Sequence, residues 1–228
     1  MRILHVSDLH FHQPWFDWVI KIAPNYDGVC LTGDLIDGFS MSVSVEHQSE
    51  VINRWLAGLQ FPIFICSGNH DWSPDKRPSL AGTSFLHCKN PAVRTDGTDE
   101  LFMGHRFVCA AWGEPVDKIS GIEPVVLLSH VPPAETRLAV CDAGDLGEAE
   151  VRYLADSFPQ HSIVLSGHVH KPDAWFERIN DTCCFNPGSC SFVSKIPNHI
   201  RLDLSQGQAT FCGESKPDDE GVIVQKLW

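Results

Sequence analysis

Five short apolar runs in this chain each end in a polar cluster of the same chemical kind. Ile3 to Val6 leads to Asp8-Leu9-His10, and Val29 to Leu31 leads to Gly33-Asp34. Ile63 to Cys66 leads to Gly68-Asn69-His70-Asp71, Val125 to Leu128 to His130, and Ile163 to Leu165 to Gly167-His168-Val169-His170. Apolar runs of this length, bounded by glycine and polar turns, read as buried strands. Between the first three lie stretches with helical spacing: Trp15, Trp18, Val19 and Ile22 after Pro14, then Val51, Ile52, Trp55, Leu56 and Leu59. Strands alternating with helices through short connections make a parallel or mixed sheet, and such sheets bind ligands at the carboxyl ends of their strands. All five clusters are therefore expected to meet along one edge. A period-two spacing would put Asp8 and His10 on one side of an extended segment, as two ligands of one metal require.

Beyond Ser84 the pattern changes to short strand candidates at 84–88, 100–103, 106–112, 174–179, 183–185, 199–204 and 208–212, with one helix expected over 146–158 and closed by Pro159. A second sheet is the simplest account. Residues 72–82 follow the GNHD cluster and are expected to overhang the site, whereas 38–44 read as a surface loop. One domain spanning 1–213 and an acidic C-terminal tail over 214–228 is the economical division.

The net charge of −12 and the lack of any Lys/Arg block exclude extended binding to a nucleic-acid backbone, so no long nucleic acid is expected as partner. A small anionic substrate remains compatible, because bound cations invert the local field. No stretch reaches the roughly 18 apolar residues of a membrane span, and no signal-peptide core precedes Ser7, which gives the expectation of a cytoplasmic protein with no membrane partner. The nine cysteines agree: several lie inside apolar runs, and neighbours Cys183 and Cys184 would point to opposite faces of a strand rather than form a metal pair.

Oxygen and imidazole donors in this mixture suit manganese, iron or zinc. The clusters together exceed what one ion needs, and two ions bridged by one carboxylate fit the number. In order and spacing, D-x-H at Asp8 and His10, G-D at Asp34, G-N-H-D at 68–71, His130 and G-H-x-H at 167–170 resemble the calcineurin-like metallophosphoesterase superfamily. Asn186-Pro187-Gly188-Ser189 is similar to a segment of its smaller members. The resemblance implies an α/β (α+β) fold, a four-layer αββα sandwich of two mixed β-sheets flanked by helices. It implies that Asp8, His10 and His170 hold one metal and Asn69, His130 and His168 a second, with Asp34 bridging. It further implies that His70 protonates the leaving oxygen, with Asp71 orienting its ring. The cofactors implied are two divalent or trivalent ions, manganese or iron first, zinc or nickel as alternatives.

The chemistry is self-consistent: two ions about 3.5 to 4 Å apart generate hydroxide near neutral pH and neutralise phosphate oxygens, so direct attack by a metal-bridging hydroxide needs no protein nucleophile. The expected activity is hydrolysis of phosphodiesters or phosphomonoesters on a small phosphorylated substrate, nucleotides and cyclic nucleotides among the candidates. The alternative is a non-catalytic scaffold of the same fold that binds a protein partner. Other groups carry weaker expectations. His12 would reach the substrate only if the first strand continued, Asp37 reads as a turn or cap carboxylate, and Lys76, Arg77 and Arg137 read as solvated loop charges. Trp72, Trp112 and Phe39, in rim loops, could stack on a base or cover the core.

Overall fold

The computed structural model describes residues 1–71, 88–116, 119, 123–213 and 223–228. The strand candidate at 84–88, the overhanging segment 72–82 with Trp72, Lys76 and Arg77, and the acidic stretch 214–221 fall largely or wholly outside the described residues.

The described strands are β1 (Arg2–Val6), β2 (Gly28–Thr32), β3 (Ile63–Cys66), β4 (Val93–Arg94), β5 (Asp99–Phe102), β6 (His105–Cys109), β7 (Val125–Leu128), β8 (Val140–Cys141), β9 (Gly144–Asp145), β10 (Ile163–Leu165), β11 (Phe176–Ile179), β12 (Thr182–Phe185), β13 (His199–Asp203), β14 (Gln208–Cys212) and β15 (Ile223–Lys226). The helices are α1 (Gln13–Ile22), α2 (Val45–Gly58) and α3 (Ala149–Ser157). One sheet runs β15-β14-β13-β1-β2-β3-β4 and the other β11-β12-β10-β7-β6-β5, with β8 and β9 forming a small hairpin. In the first sheet β1-β2-β3-β4 run parallel out to one edge and β13, β14 and β15 add antiparallel on the other side; the second has a parallel centre, β6-β7-β10-β12, with antiparallel β5 and β11 at its margins.

Because side chains alternate across a strand, each buried run supplies two layers. On β1, Ile3 faces the second sheet while Leu4 and Val6 face outward. On β2, Cys30 faces inward and Val29 and Leu31 outward. Ile3, Cys30, Phe64 and Cys66 thus pack against Phe107, Val126, Leu128, Ile163, Leu165 and Phe185 between the sheets. Outside the first sheet, Leu4, Val6, Leu31 and Ile65 meet Trp15, Phe16 and Val19 of α1 and Ile52 and Leu56 of α2. Outside the second, Val108, Leu127 and Val164 meet Val151, Leu154 and Ala155 of α3. Burying a Phe or Leu side chain contributes about 1.5–3 kcal/mol, so these three cores hold the four layers together. This is the four-layer α/β sandwich anticipated from sequence. Cys183 lies between the sheets and Cys184 under α3, on opposite faces as expected.

Two expectations need correction. The strand expected over 106–112 ends at Cys109, and Trp112 lies in a turn beyond it. The boundary expected after residue 213 does not end the domain: β15 pairs antiparallel with β14, and Leu227 is buried in the inter-sheet core. Its apolar residues follow directly on an acidic run, so the strand carries no separate signal at the level of sequence.

A candidate metal centre at the strand ends

The parallel strands deliver their carboxyl ends to one edge, and each expected residue emerges there. The backbone does not reach the site in extended form. Asp8, His10, Asp34 and His168 all have positive φ, at 56°, 42°, 54° and 66°, as does Phe11 at 55°. Residues without glycine's freedom rarely adopt this conformation, and such strain gathers where a site requires it. Asp8 and His10 therefore converge through a left-handed turn after β1, not through the period-two spacing of a continuing strand. The same turn directs His12 to the start of α1, where its ring lies 4.8 Å from that of Trp15.

The donor atoms converge. His10 Nε2 lies 3.1 Å from His170 Nε2, 3.9 Å from Asp8 Oδ1 and 3.8 Å from Asp34 Oδ2. His170 Nε2 is 3.5 Å from Asp8 Oδ1. On the other side, Asn69 Oδ1 lies 3.0 Å from His130 Nε2 and 2.9 Å from His168 Nδ1. Asp34 spans the two groups, its Oδ2 being 3.4 Å from His130 Nε2 and 4.0 Å from His70 Nε2. Ligands held about 2.0–2.2 Å from a shared ion sit roughly 3 Å or a little more apart, which is the spacing of several of these pairs.

The donor set fits a cation on independent grounds. Asp8 is fully buried and its Oδ1 has no hydrogen-bond partner, a costly state for a carboxylate unless an ion meets it. Among the described residues the ion pairs of Asp8 and Asp34 are all with histidines. Burial alone would raise the Asp8 carboxyl, but the His170 ring 3.5 Å from Oδ1 and the His130 and His10 charges hold it well below the usual range. Burial opposes charge on the His130 ring, yet Asp34 beside it pushes the ring up to about 9. Asp8, His10 and His170 form one candidate cation group and Asp8, Asp34 and His130 another.

Supporting contacts explain the glycines and one misplaced expectation. A Cβ on Gly167 would run into Ser7 Oγ and Asp8 Oδ2, and one on Gly68 into Asp34 Oδ1. Asp71 does not orient His70. Its carboxylate turns inward, Oδ1 accepting from Leu35 N at 2.8 Å and Ile36 N at 3.1 Å, and Oδ2 from Gly68 N at 2.9 Å. It ties the Asp34 turn to the Asn69 turn. His70 Nδ1 accepts instead from Gly38 N at 3.1 Å, and the nearby carboxylate is Asp37, with Oδ1 at 3.7 Å. Asp37 also accepts from Phe39 N, the turn role expected of it.

Two supporting residues were given no role from the sequence, although Asn186 opens the NPGS segment noted there. Buried Gln48 of α2 accepts from Asp37 N at 2.7 Å and donates to Asp37 O at 2.9 Å and Val43 O at 3.0 Å, which fixes the loop carrying Gly38. Buried Asn186, directly after β12, donates through Nδ2 to Leu138 O at 3.1 Å, Gly167 O at 3.0 Å and Val169 O at 3.2 Å, and accepts from Gly188 N at 2.8 Å. Two of those carbonyls bracket His168. Trp112 packs its ring 5.7 Å from His130 and 5.8 Å from His168. Arg137 is held at Asp173 O and Glu177, and His5 is a buried structural residue bonded to Thr32 Oγ1.

A family model for calcineurin-like phosphoesterases matches residues 1–172. The chain belongs to the calcineurin-like phosphoesterase family. The match covers every ligand position expected from the sequence, and Asn186 lies beyond it. Solved structures share the fold: a protein from Thermus thermophilus, 16% identical over 100% of this chain and 99% of its own, has a TM-score of 0.58. Yfce, a phosphoesterase from E. coli, is 15% identical over 100% of both chains with a TM-score of 0.56. A purple acid phosphatase from yellow lupin seeds is 11% identical over 98% of this chain and 53% of its own, at 0.55. No curated protein matches the sequence.

Proposed function

We propose that this phosphoesterase is a two-metal hydrolase of phosphodiester or phosphomonoester bonds, acting on a small phosphorylated substrate. The observation that carries the reading is Asp34, whose Oδ2 faces His10, His130 and His70 at 3.8, 3.4 and 4.0 Å. Asp8, His10 and His170 would hold one ion, and Asn69, His130 and His168 the other, with Asp34 between. When bound, the two ions supply a water acidic enough to ionise near neutral pH and offset the negative charge of the phosphoryl oxygens, manganese or iron suiting the mixed oxygen and imidazole donors best.

The chain's own residues supply the rest. The Gly38 N–H on Nδ1 selects the His70 tautomer that carries its proton on Nε2, the atom turned toward Asp34. That Nε2–H donates to the leaving oxygen. Complete proton transfer uses the doubly protonated ring, whose Nδ1–H must give up the Gly38 N–H and turn to Asp37 Oδ1, 3.7 Å from Nδ1; after Nε2 has given its proton to the leaving oxygen the ring is neutral again. Asp71 and Gln48 act through these groups by holding their loops.

Among the described residues no helix is long and apolar enough to cross a membrane. A cytoplasmic location is part of the proposal and is supported by the nine cysteines, all free thiols. The test is turnover of p-nitrophenyl and bis-p-nitrophenyl phosphate by protein loaded in turn with manganese, iron, nickel or zinc. Metal-dependent release of p-nitrophenol is expected. Silence with all four metals on both compounds would leave the scaffold reading in its place.

A further inference from the structure

The mouth of the centre carries apolar surface that the phosphoryl chemistry does not use. Phe39 is 77% exposed and Met41 fully exposed in the loop after Asp37. Phe192 is 49% and Val193 89% exposed in the loop after Ser189. Scattered surface hydrophobics need no explanation, but these lie in two loops flanking one cluster of histidines. The Phe39 ring stands edge-on to His70 at 4.6 Å, His70 to His10 at 4.5 Å, and His10 to Phe192 at 6.1 Å. His12 lies 5.5 Å from Phe192 on the same side.

Both loops are anchored. Gln48 pins Asp37, and the Gly38 and Phe39 N–H groups bond to His70 Nδ1 and Asp37 Oδ1. Across the mouth, Ser189 N donates to His170 O at 2.8 Å, Trp15 Nε1 donates to Ser194 O at 2.9 Å, and Phe192 stacks on Trp15 at 5.1 Å. The rings are thus pre-positioned, so a group that packs on them loses little to their ordering.

We infer that the Phe39 and Phe192 loops form a subsite for a planar aromatic substituent of the phosphoester, an aryl ring or a nucleobase. The inference rests on the phosphoesterase reading. A phosphoryl group held beside His10 and His70 has its ester substituents one ring away from Phe39 on one side and Phe192 on the other. Aromatic pairs attract at centroid separations of about 4.5–7 Å beyond what their buried area contributes, an advantage an alkyl substituent lacks. Phe192 was invisible in the sequence, sitting in a loop without periodicity. Phe39 was one of three aromatics expected at the rim.

The experiment compares phenylphosphonate with methylphosphonate, which share a headgroup and differ in the ring, by calorimetric titration of manganese-loaded protein. Phenylphosphonate is expected to bind about tenfold more tightly. In the Phe39→Ala, Phe192→Ala double variant that advantage should fall to about twofold or less while methylphosphonate affinity holds. Phe192→Leu, which keeps apolar cover over Trp15, should lose part of it. Equal affinity of the two phosphonates for the unaltered protein overturns the inference and leaves the phosphoesterase reading intact. Equal weakening of both by the double variant also overturns it, since the loops would then serve the headgroup site. If neither phosphonate binds, the phosphoesterase reading itself fails and the subsite with it.

Discussion

Replacing Asn186 by alanine should separate the scaffold of the metal centre from its ligands. The side chain is buried and serves four backbone groups: the carbonyls of Leu138, Gly167 and Val169 and the N–H of Gly188. Gly167 O keeps a second donor, Val169 N at 2.7 Å. The other three groups lose the Asn186 contact, and each buried group left unpaired costs about 1–3 kcal/mol. Water entering the space recovers part, so a net loss of about 3 kcal/mol is expected, a large share of the roughly 5–15 kcal/mol typical of a domain. Because Gly167 and Val169 flank His168, the same change should weaken manganese binding at least tenfold. Urea unfolding of metal-free protein reads the first effect, and calorimetric manganese titration under conditions where the variant remains folded reads the second. A stability loss below about 1 kcal/mol together with unchanged manganese affinity would refute the assignment of Asn186 as the tie between the loops.

Asp96 gives a pH prediction: burial pushes its carboxyl up to about 6, and its Oδ2 is buried without a partner. The native state then holds a proton that the unfolded chain has released between about pH 4 and 6, so this group's contribution to stability falls as pH rises through that window. Asp96→Asn should flatten the window and raise stability at pH 7 by about 2 kcal/mol in urea melts. Gly167→Ala should displace Asp8 or Ser7 and abolish tight metal binding while the sheets persist by circular dichroism. Since the metal-free His130 ring titrates only near 9, metal loading at pH 7 should release protons, and affinity should rise with pH up to about 9, measurable by titration in buffers of different ionisation enthalpy.

Much of this arrangement was legible because buried strands and their polar ends are written locally. Ile63 to Cys66 announces a strand, Gly68 to Asp71 announces a site, and the order of such clusters resembles one family. The rest depended on non-local geometry. Val93–Arg94 and the β8–β9 hairpin are too short for any periodic signal. Asp8 and His10 do lie close together, but not through the period-two spacing expected, since their left-handed backbone is disfavoured locally and is held in place by bonds such as Asp8 N to Gly33 O and His10 N to Asp34 O. Asp71, adjacent to His70 in sequence, faces away from it, while Asp37, far off in sequence, lies beside its ring. Gln48 looks like an ordinary polar residue, and Asn186 like part of a family segment with no role of its own, until the loops they hold are seen.

The central claim is that His70 donates to the leaving group while Asp8, His10, Asp34, Asn69, His130, His168 and His170 hold two ions. The most direct measurement is metal content alongside turnover of bis-p-nitrophenyl phosphate for His70→Ala and the unaltered protein. The account predicts two bound ions in both and a fall in turnover of about 10²–10⁴-fold in the variant. Loss of an ion in step with activity, or turnover undiminished without His70, would contradict it.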